Sequence, residues 1–323
     1  MMKPIRIIYL FLLLISNNFI LAQSIAHAKK LYDSKDYEKA FSAFNAISKS
    51  NHDYAESRYY MGLISMQKED YEKADEYIKQ AITSNPNVAK YHVAMVNLYG
   101  QMISKASMLK QASLASKLKT HMETAVKLNP KDMNTSLMLI AFYVRAPRIM
   151  GGDKEKAKKV ADDMMKINRA DGYRALGLIA HSEENYADAE SNYKKALNIS
   201  PDSVKFYYSL ASVYQSQSKY DEAMEVYGKA IERFPTNRNL LLNAGRMASI
   251  SGEKHGELGI KYLYSYLGEN PDMTDKNIGE AFFYLGMIEK NRGNKSLARK
   301  HFNSALKVNP DHTRSQQALK DMS

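Results

Sequence analysis

Apolar residues along most of this chain return every three or four positions, the period of a helix with one buried face. From Tyr71 to Ile82 the stripe reads Tyr71, Ala74, Tyr77, Ile78, Ala81 and Ile82. The stripe itself repeats. Asp36-Tyr37-Glu38-Lys39-Ala40 returns unchanged as Asp70-Tyr71-Glu72-Lys73-Ala74, 34 residues later, with variants at 153–157, 185–189 and 219–223. Around these phrases Gly62, Ala74, Ala81 and Pro86 stand 12, 7 and 5 residues apart. Gly177, Ala189, Ala196 and Pro201 keep the same intervals, as do Ala211, Ala223, Ala230 and Pro235, and Gly286, Ala298, Ala305 and Pro310.

The frame predicts pairs of helices joined by short turns. Small residues sit where two helix backbones must approach, with Gly62 expected opposite Ala74. Asn-Pro closes units at Asn85-Pro86, Asn129-Pro130, Asn270-Pro271 and Asn309-Pro310. Asn there is expected to take the left-handed conformation of a helix C-cap, and Pro to stop the helix.

This arrangement resembles the tetratricopeptide repeat family. Leu176-Gly177, Ala189, Tyr193, Ala196 and Pro201 carry the match in one unit. Tyr207, Leu210, Ala211, Tyr214, Ala223, Tyr227, Ala230 and Pro235 carry it in the next. The resemblance implies an all-α fold, an α-α superhelix of about eight helix-turn-helix repeats. The expected units are 24–53, 54–86, 87–130, 131–170, 171–201, 202–235, 236–271 and 272–310, followed by a capping helix over 311–323. Three places break the frame, one of them the seventh unit, with Gly259 where Ala is expected and an inserted His255-Gly256. The third unit spans 44 residues between Pro86 and Pro130, against 34 between Pro201 and Pro235, with the excess near 100–116. The fourth carries an insertion over 145–152. Gly151-Gly152 reads as a turn of positive φ with Asp153 as the next N-cap. The tyrosines at repeat positions, such as Tyr99, Tyr143, Tyr193, Tyr214 and Tyr227, are expected in the core.

The first 23 residues differ from the rest. Lys3 and Arg6 precede an unbroken apolar run from Ile7 to Ile15, too short to span a bilayer, and a small-residue exit follows. This pattern predicts a signal peptide over 1–23 and an exported protein, periplasmic or secreted. Without that segment the formal net charge falls from +11 to +9. A basic balance favours anionic partners, and export argues against nucleic acid among them.

Composition narrows the chemistry. With 8 Pro and 15 Gly, collagen, a β-sandwich and long linkers are excluded; with no Cys there is no disulfide and no thiolate site. No two of the 8 His stand at the i, i+4 spacing of a helical metal site. No nucleophile elbow, phosphate loop or dinucleotide fingerprint occurs, so neither an enzyme nor a cofactor is expected.

In the resembling family, first-helix residues line a concave groove that binds a peptide or a partner helix. By repeat position this implies partner-binding roles for Tyr59, Asn97, Arg174, His181 and Lys205. The same reasoning adds Tyr208, Gln215, Arg246, Phe283 and Lys290. Arginine, amide and aromatic groups suit a peptide backbone and acidic side chains. The Lys/Asn/Arg clamp with which one subgroup holds chaperone C-termini is missing, since Tyr59 and Leu63, or Val93 and Asn97, occupy its positions. The expectation is a non-catalytic scaffold of a bacterial-type cell envelope that binds a protein or peptide partner of acidic character. Membrane contact is confined to the signal peptide. The alternative is a module that binds glycan or envelope polymer through the basic surface.

Overall fold

The computed structural model describes residues 24–322, and the expected signal peptide lies outside the described residues. Seventeen α-helices and one 3-10 turn make up the described chain. They form two compact units, residues 24–167 and 168–322.

The first unit holds four hairpins. They are α1 (Ile25–Asp33) with α2 (Tyr37–Asn45), α3 (Tyr54–Gln67) with α4 (Tyr71–Ser84), α5 (Ala89–Lys105) with α6 (Met108–Leu128), and α7 (Met133–Arg145) with α8 (Lys154–Ile167). The second holds α9 (Arg169–Ser182) with α10 (Tyr186–Ile199), α11 (Val204–Ser216) with α12 (Tyr220–Arg233), α13 (Arg238–Ile250) with α14 (Gly256–Leu267) and α15 (Lys276–Asn291) with α16 (Lys295–Val308). A short α17 (Thr313–Lys320) follows. Since α9 begins at Arg169, the boundary read at 170 falls two residues inside a helix.

The recurring pentapeptide is a helix start. Asp36 and Asp70 are N-caps, accepting from the backbone N–H of Lys39 at 3.3 Å and of Lys73 at 3.2 Å. The same lysines fold back, Nζ to carboxylate 2.8 and 2.7 Å. Those side-chain hydrogen bonds hold both aspartates below the usual carboxylate range. Ala40 and Ala74, four residues past the caps, are fully buried.

Close approach explains the small residues. A Cβ at Gly62 would lie 2.4 Å from Ile78 Cγ1, so Gly62 makes room for Ile78 more than for Ala74. Likewise a Cβ would meet the Tyr193 ring at 2.5 Å from Gly177, and the Phe302 ring at 2.5 Å from Gly286.

The left-handed residues are not the Asn of Asn-Pro. Asn85, Asn129 and Asn309 have φ of −147°, −138° and −136°, because a following Pro pushes its neighbour into extended backbone. Positive φ occurs within the hairpins, at Lys35, Glu69, Glu184 and Ser218. Each lies just before the N-cap of a second helix.

Tyr99, Tyr143, Tyr193, Tyr214 and Tyr227 are all buried. Three reach a carboxylate on the preceding second helix: Tyr99 donates to Asp75 at 2.8 Å, Tyr143 to Glu123 at 2.6 Å and Tyr214 to Glu190 at 2.9 Å. Burial, then these bonds, raises the phenols' pKa values. The frame departures are visible, and at Gly259 a Cβ would lie 2.3 Å from that of Ala248. α5 and α6 lengthen to 17 and 21 residues, and 145–152 forms a 3-10 turn (Arg148–Met150) ending at Gly151, φ 95°.

Candidate functional site

In the second unit the first helices of successive hairpins lie side by side and are laced by polar side chains. Arg174 on α9 donates from Nε to Ser209 Oγ on α11 at 3.1 Å, and His181 Nε2 lies 2.9 Å from Ser216 Oγ. Arg246 on α13 approaches Gln215 Oε1 at 3.5 Å. Tyr208 packs edge-on against Tyr227, ring centroids 6.2 Å apart. Arg174, His181, Tyr208, Gln215 and Arg246 are all half-buried. Burial pulls the Arg174 guanidinium below its ordinary pKa. The structure thus brings these five together along one row. It presents cationic, amide and aromatic groups to one side.

Lys205 has a different duty. Its Nζ lies 2.6 Å from Oδ1 of Asp171, whose side chain is 3% exposed. The same device occurs twice more, always 34 residues apart: Lys90 to Glu56 at 2.7 Å, and Arg314 to Glu280. In every case the cation also lies over an aromatic ring: Lys90 Nζ is 5.1 Å from the Tyr59 centroid, Lys205 Nζ 5.0 Å from Phe206, and Arg314 Cζ 4.5 Å from Phe283. We call this arrangement a clip. Burial alone would raise the Glu56 carboxyl, but hydrogen bonds from Lys90 and Lys29 outweigh it and hold the group below its usual value. Sequence reading missed the clips. Their trace was an acid and a cation one repeat period apart.

Phe283 is a correction. It is only 8% exposed, sealed by Phe302, His312 and Arg314. His312 precedes α17 and Arg314 lies on it, so the residues around the start of that helix cover this side of α15. Lys290, on the same helix, is half-buried.

The two remaining candidates belong to the first unit. Tyr59 packs edge-on against Tyr60 and tilted against Tyr91, ring centroids 5.2 and 5.3 Å away, and burial pushes its phenol up to about 12. Asn97 is exposed on the wall of a cavity of about 820 Å³. Leu63, Met66, Val96, Leu118, Met122 and Met138 give that cavity an apolar floor, and Gln67, Gln101 and Ser104 add polar edges. Among the described residues no three His, Cys, Asp or Glu side chains converge on a point that could hold a metal ion.

Helix hairpins at this cadence, with small residues at the crossings, define a helical-repeat protein. Four segments match the family directly: 55–88, 204–237 and 280–312 as tetratricopeptide repeat, and 177–218 as TPR repeat. The chain is a tetratricopeptide-repeat protein, a class whose members typically mediate protein–protein interactions. It is similar to a solved tetratricopeptide repeat protein from Parabacteroides merdae, with a TM-score of 0.55 and 13% identity over 92% of this chain and 96% of the other. Stress-induced-phosphoprotein 1 of Caenorhabditis elegans is 26% identical over 42% of this chain and 51% of its own length. Human protein O-mannosyl-transferase TMTC3 is 23% identical over 89% of this chain and 31% of its own. The chain therefore spans about half and about a third of these two relatives.

Proposed function

We propose that this protein is a non-catalytic scaffold of a bacterial-type cell envelope, exported by its N-terminal segment, that holds a peptide segment or partner protein along its first helices. The observation that carries this reading is the laced row of Arg174, Tyr208, Gln215 and Arg246. Its side chains are held in place before a partner arrives, which lowers the ordering cost of binding. Guanidinium and amide groups there suit backbone carbonyls and acidic side chains. The Met-floored cavity beside Asn97 supplies, in the other unit, room for an apolar side chain. Lys205 is excluded from the binding set because Asp171 already holds its ammonium.

The test is photo-crosslinking in cells from a reactive side chain at Tyr208, with adducts identified by mass. The expected result is one recurrent envelope protein, lost in Arg246→Glu while helicity is unchanged. Adducts that are diffuse, or that persist undiminished in Arg246→Glu, would overturn the reading.

A further inference from the structure

Where residues 24–167 leave the repeat frame, they grow outward and turn apolar. α5 and α6 run 17 and 21 residues against 14 each for α3 and α4. At ~1.5 Å per residue the third hairpin is longer by roughly 5–10 Å. At its turn, Met108 and Leu109 are 81% and 91% exposed. The turn of the next hairpin carries Ile149, 95% exposed. Both turns lie on one edge of this unit. Lys105 beside the first ties to Glu69 in the turn before it at 2.7 Å, and Lys119 of α6 closes against Gly151 of the second.

Around these two turns cations outnumber acids, with Glu69, Asp153 and Glu155 the acids beside them. Residues 100–122 hold Lys105, Lys110, Lys117 and Lys119 and no acid; residues 133–152 hold Arg145 and Arg148 and no acid. Lys105 is engaged by Glu69, while Lys110, Arg145 and Arg148 stand exposed. The apolar residues beside other hairpin turns, Ile250, Leu258 and Leu297, are only 43%, 37% and 45% exposed, so the stack does not require side chains as bare as these three. Large apolar side chains that project singly from a surface offer a folded partner no continuous face to complement. Between lipid headgroups, each would find an apolar layer at its own depth, with phosphates beside the cations.

We propose that this edge docks on an anionic phospholipid surface, with Met108, Leu109 and Ile149 entering the interfacial layer and Lys110, Arg145 and Arg148 meeting lipid phosphates. The site is separate from the first-helix row and stands whether or not that row binds a partner. It also extends membrane contact beyond the N-terminal segment, to which the sequence alone confined it.

The test is flotation of the full chain with vesicles of phosphatidylcholine, alone or mixed with phosphatidylglycerol. Binding is expected only to the mixed vesicles and should weaken in high salt. Met108→Ser with Leu109→Ser should weaken it about tenfold. Lys110→Glu with Arg148→Glu should remove the preference for phosphatidylglycerol, whereas Lys295→Glu with Lys300→Glu, an equal charge change elsewhere, should leave it. Because the chain has no Cys, Leu109→Cys can carry a single environment-sensitive dye, expected to shift to the blue on mixed vesicles. Unchanged flotation of the Met108/Leu109 variant would assign binding to the apolar run of residues 7–15, common to every variant, and overturn the proposal. So would a blue shift that rises with protein concentration in the absence of lipid, which would show the tip covered by another copy of the chain.

Discussion

Lys205 on α11 and Asp171 on α9, 34 residues apart, form an ion pair of 2.6 Å whose acidic member is nearly sealed from solvent. Each sits in the first turn of its helix, and the pair closes two neighbouring hairpins at the same level. Its value lies in what happens when one half is missing. A buried carboxylate without its cation is far costlier than the intact pair is favourable.

Lys205→Met should therefore destabilise the protein by about 2 kcal/mol, the partial exposure of Lys205 softening the full penalty of a buried charge. Asp171→Asn combined with Lys205→Met should lose less than the sum of the single changes. Urea unfolding of the four proteins in the cycle measures this coupling; strict additivity would show that the pair contributes nothing.

A second expectation concerns acid. His92 and His121 face each other, Nδ1 to Nδ1 2.9 Å, and His92 Nε2 lies 3.1 Å from the Pro86 carbonyl. Burial first, then His92, depresses His121 to about 4. The folded form of His121 thus binds its proton less readily than the unfolded form, near 6.5. Stability is complete above about pH 6.5 and declines as pH falls toward 4, by up to about 3 kcal/mol. His121→Phe should flatten that decline in unfolding measured between pH 7 and 4. Tyr99 and Asp75 lie close to the same pair and supply the nearest hydroxyl and carboxylate, and Lys79 adds a cation.

Two glycines should respond oppositely to Ala. At Gly177 a Cβ would press into the Tyr193 ring, so Gly177→Ala should cost about 1–3 kcal/mol. At Gly228, inside α12, the nearest atom is the Tyr262 hydroxyl at 4.0 Å. Gly228→Ala should stabilise by about 0.5–1 kcal/mol through helix propensity alone. Thermal unfolding of the two variants decides, and shifts of equal sign would contradict the packing account.

Much of this was legible beforehand, and the reason is physical. Steric rules repeat with the frame, so Ala40, Ala74 and the five core tyrosines could be placed by spacing. Polar partnerships could not, because they join helices that the stripe alone does not align. Arg174 reads as a free cation until α11 brings Ser209 to it, and Lys205 until α9 brings Asp171. Phe283 occupies a first-helix position like the others, and only the contacts of Phe302, His312 and Arg314 make it core. The Asn-Pro reading failed for a local reason. Asn favours left-handed backbone, but the ring of the following Pro acts on the same ψ and prevails.

The true left-handed positions give a further expectation. Ser218 holds φ 56° with no gain from its side chain in sight, whereas Gly293 fills the corresponding place between α15 and α16. Ser218→Gly should stabilise by up to about 1 kcal/mol, less whatever Gly adds to the freedom of the unfolded chain. A lower melting temperature for this variant would show that the strain is relieved in some other way.

The clips carry one more consequence. A bond that reaches one period along the chain joins the same repeat position in two successive hairpins. Excising 172–205 would therefore set Asp171 against Asn239, and duplicating 171–204 would set it against a second aspartate, so each clip specifies which hairpin follows which. Adding a handful of residues inside a clip would put that acid out of step with its own cation while leaving later clips unchanged. The excess near 100–116 in the long third hairpin and the insertion over 145–152, where this chain has gained residues, both fall outside the three clips.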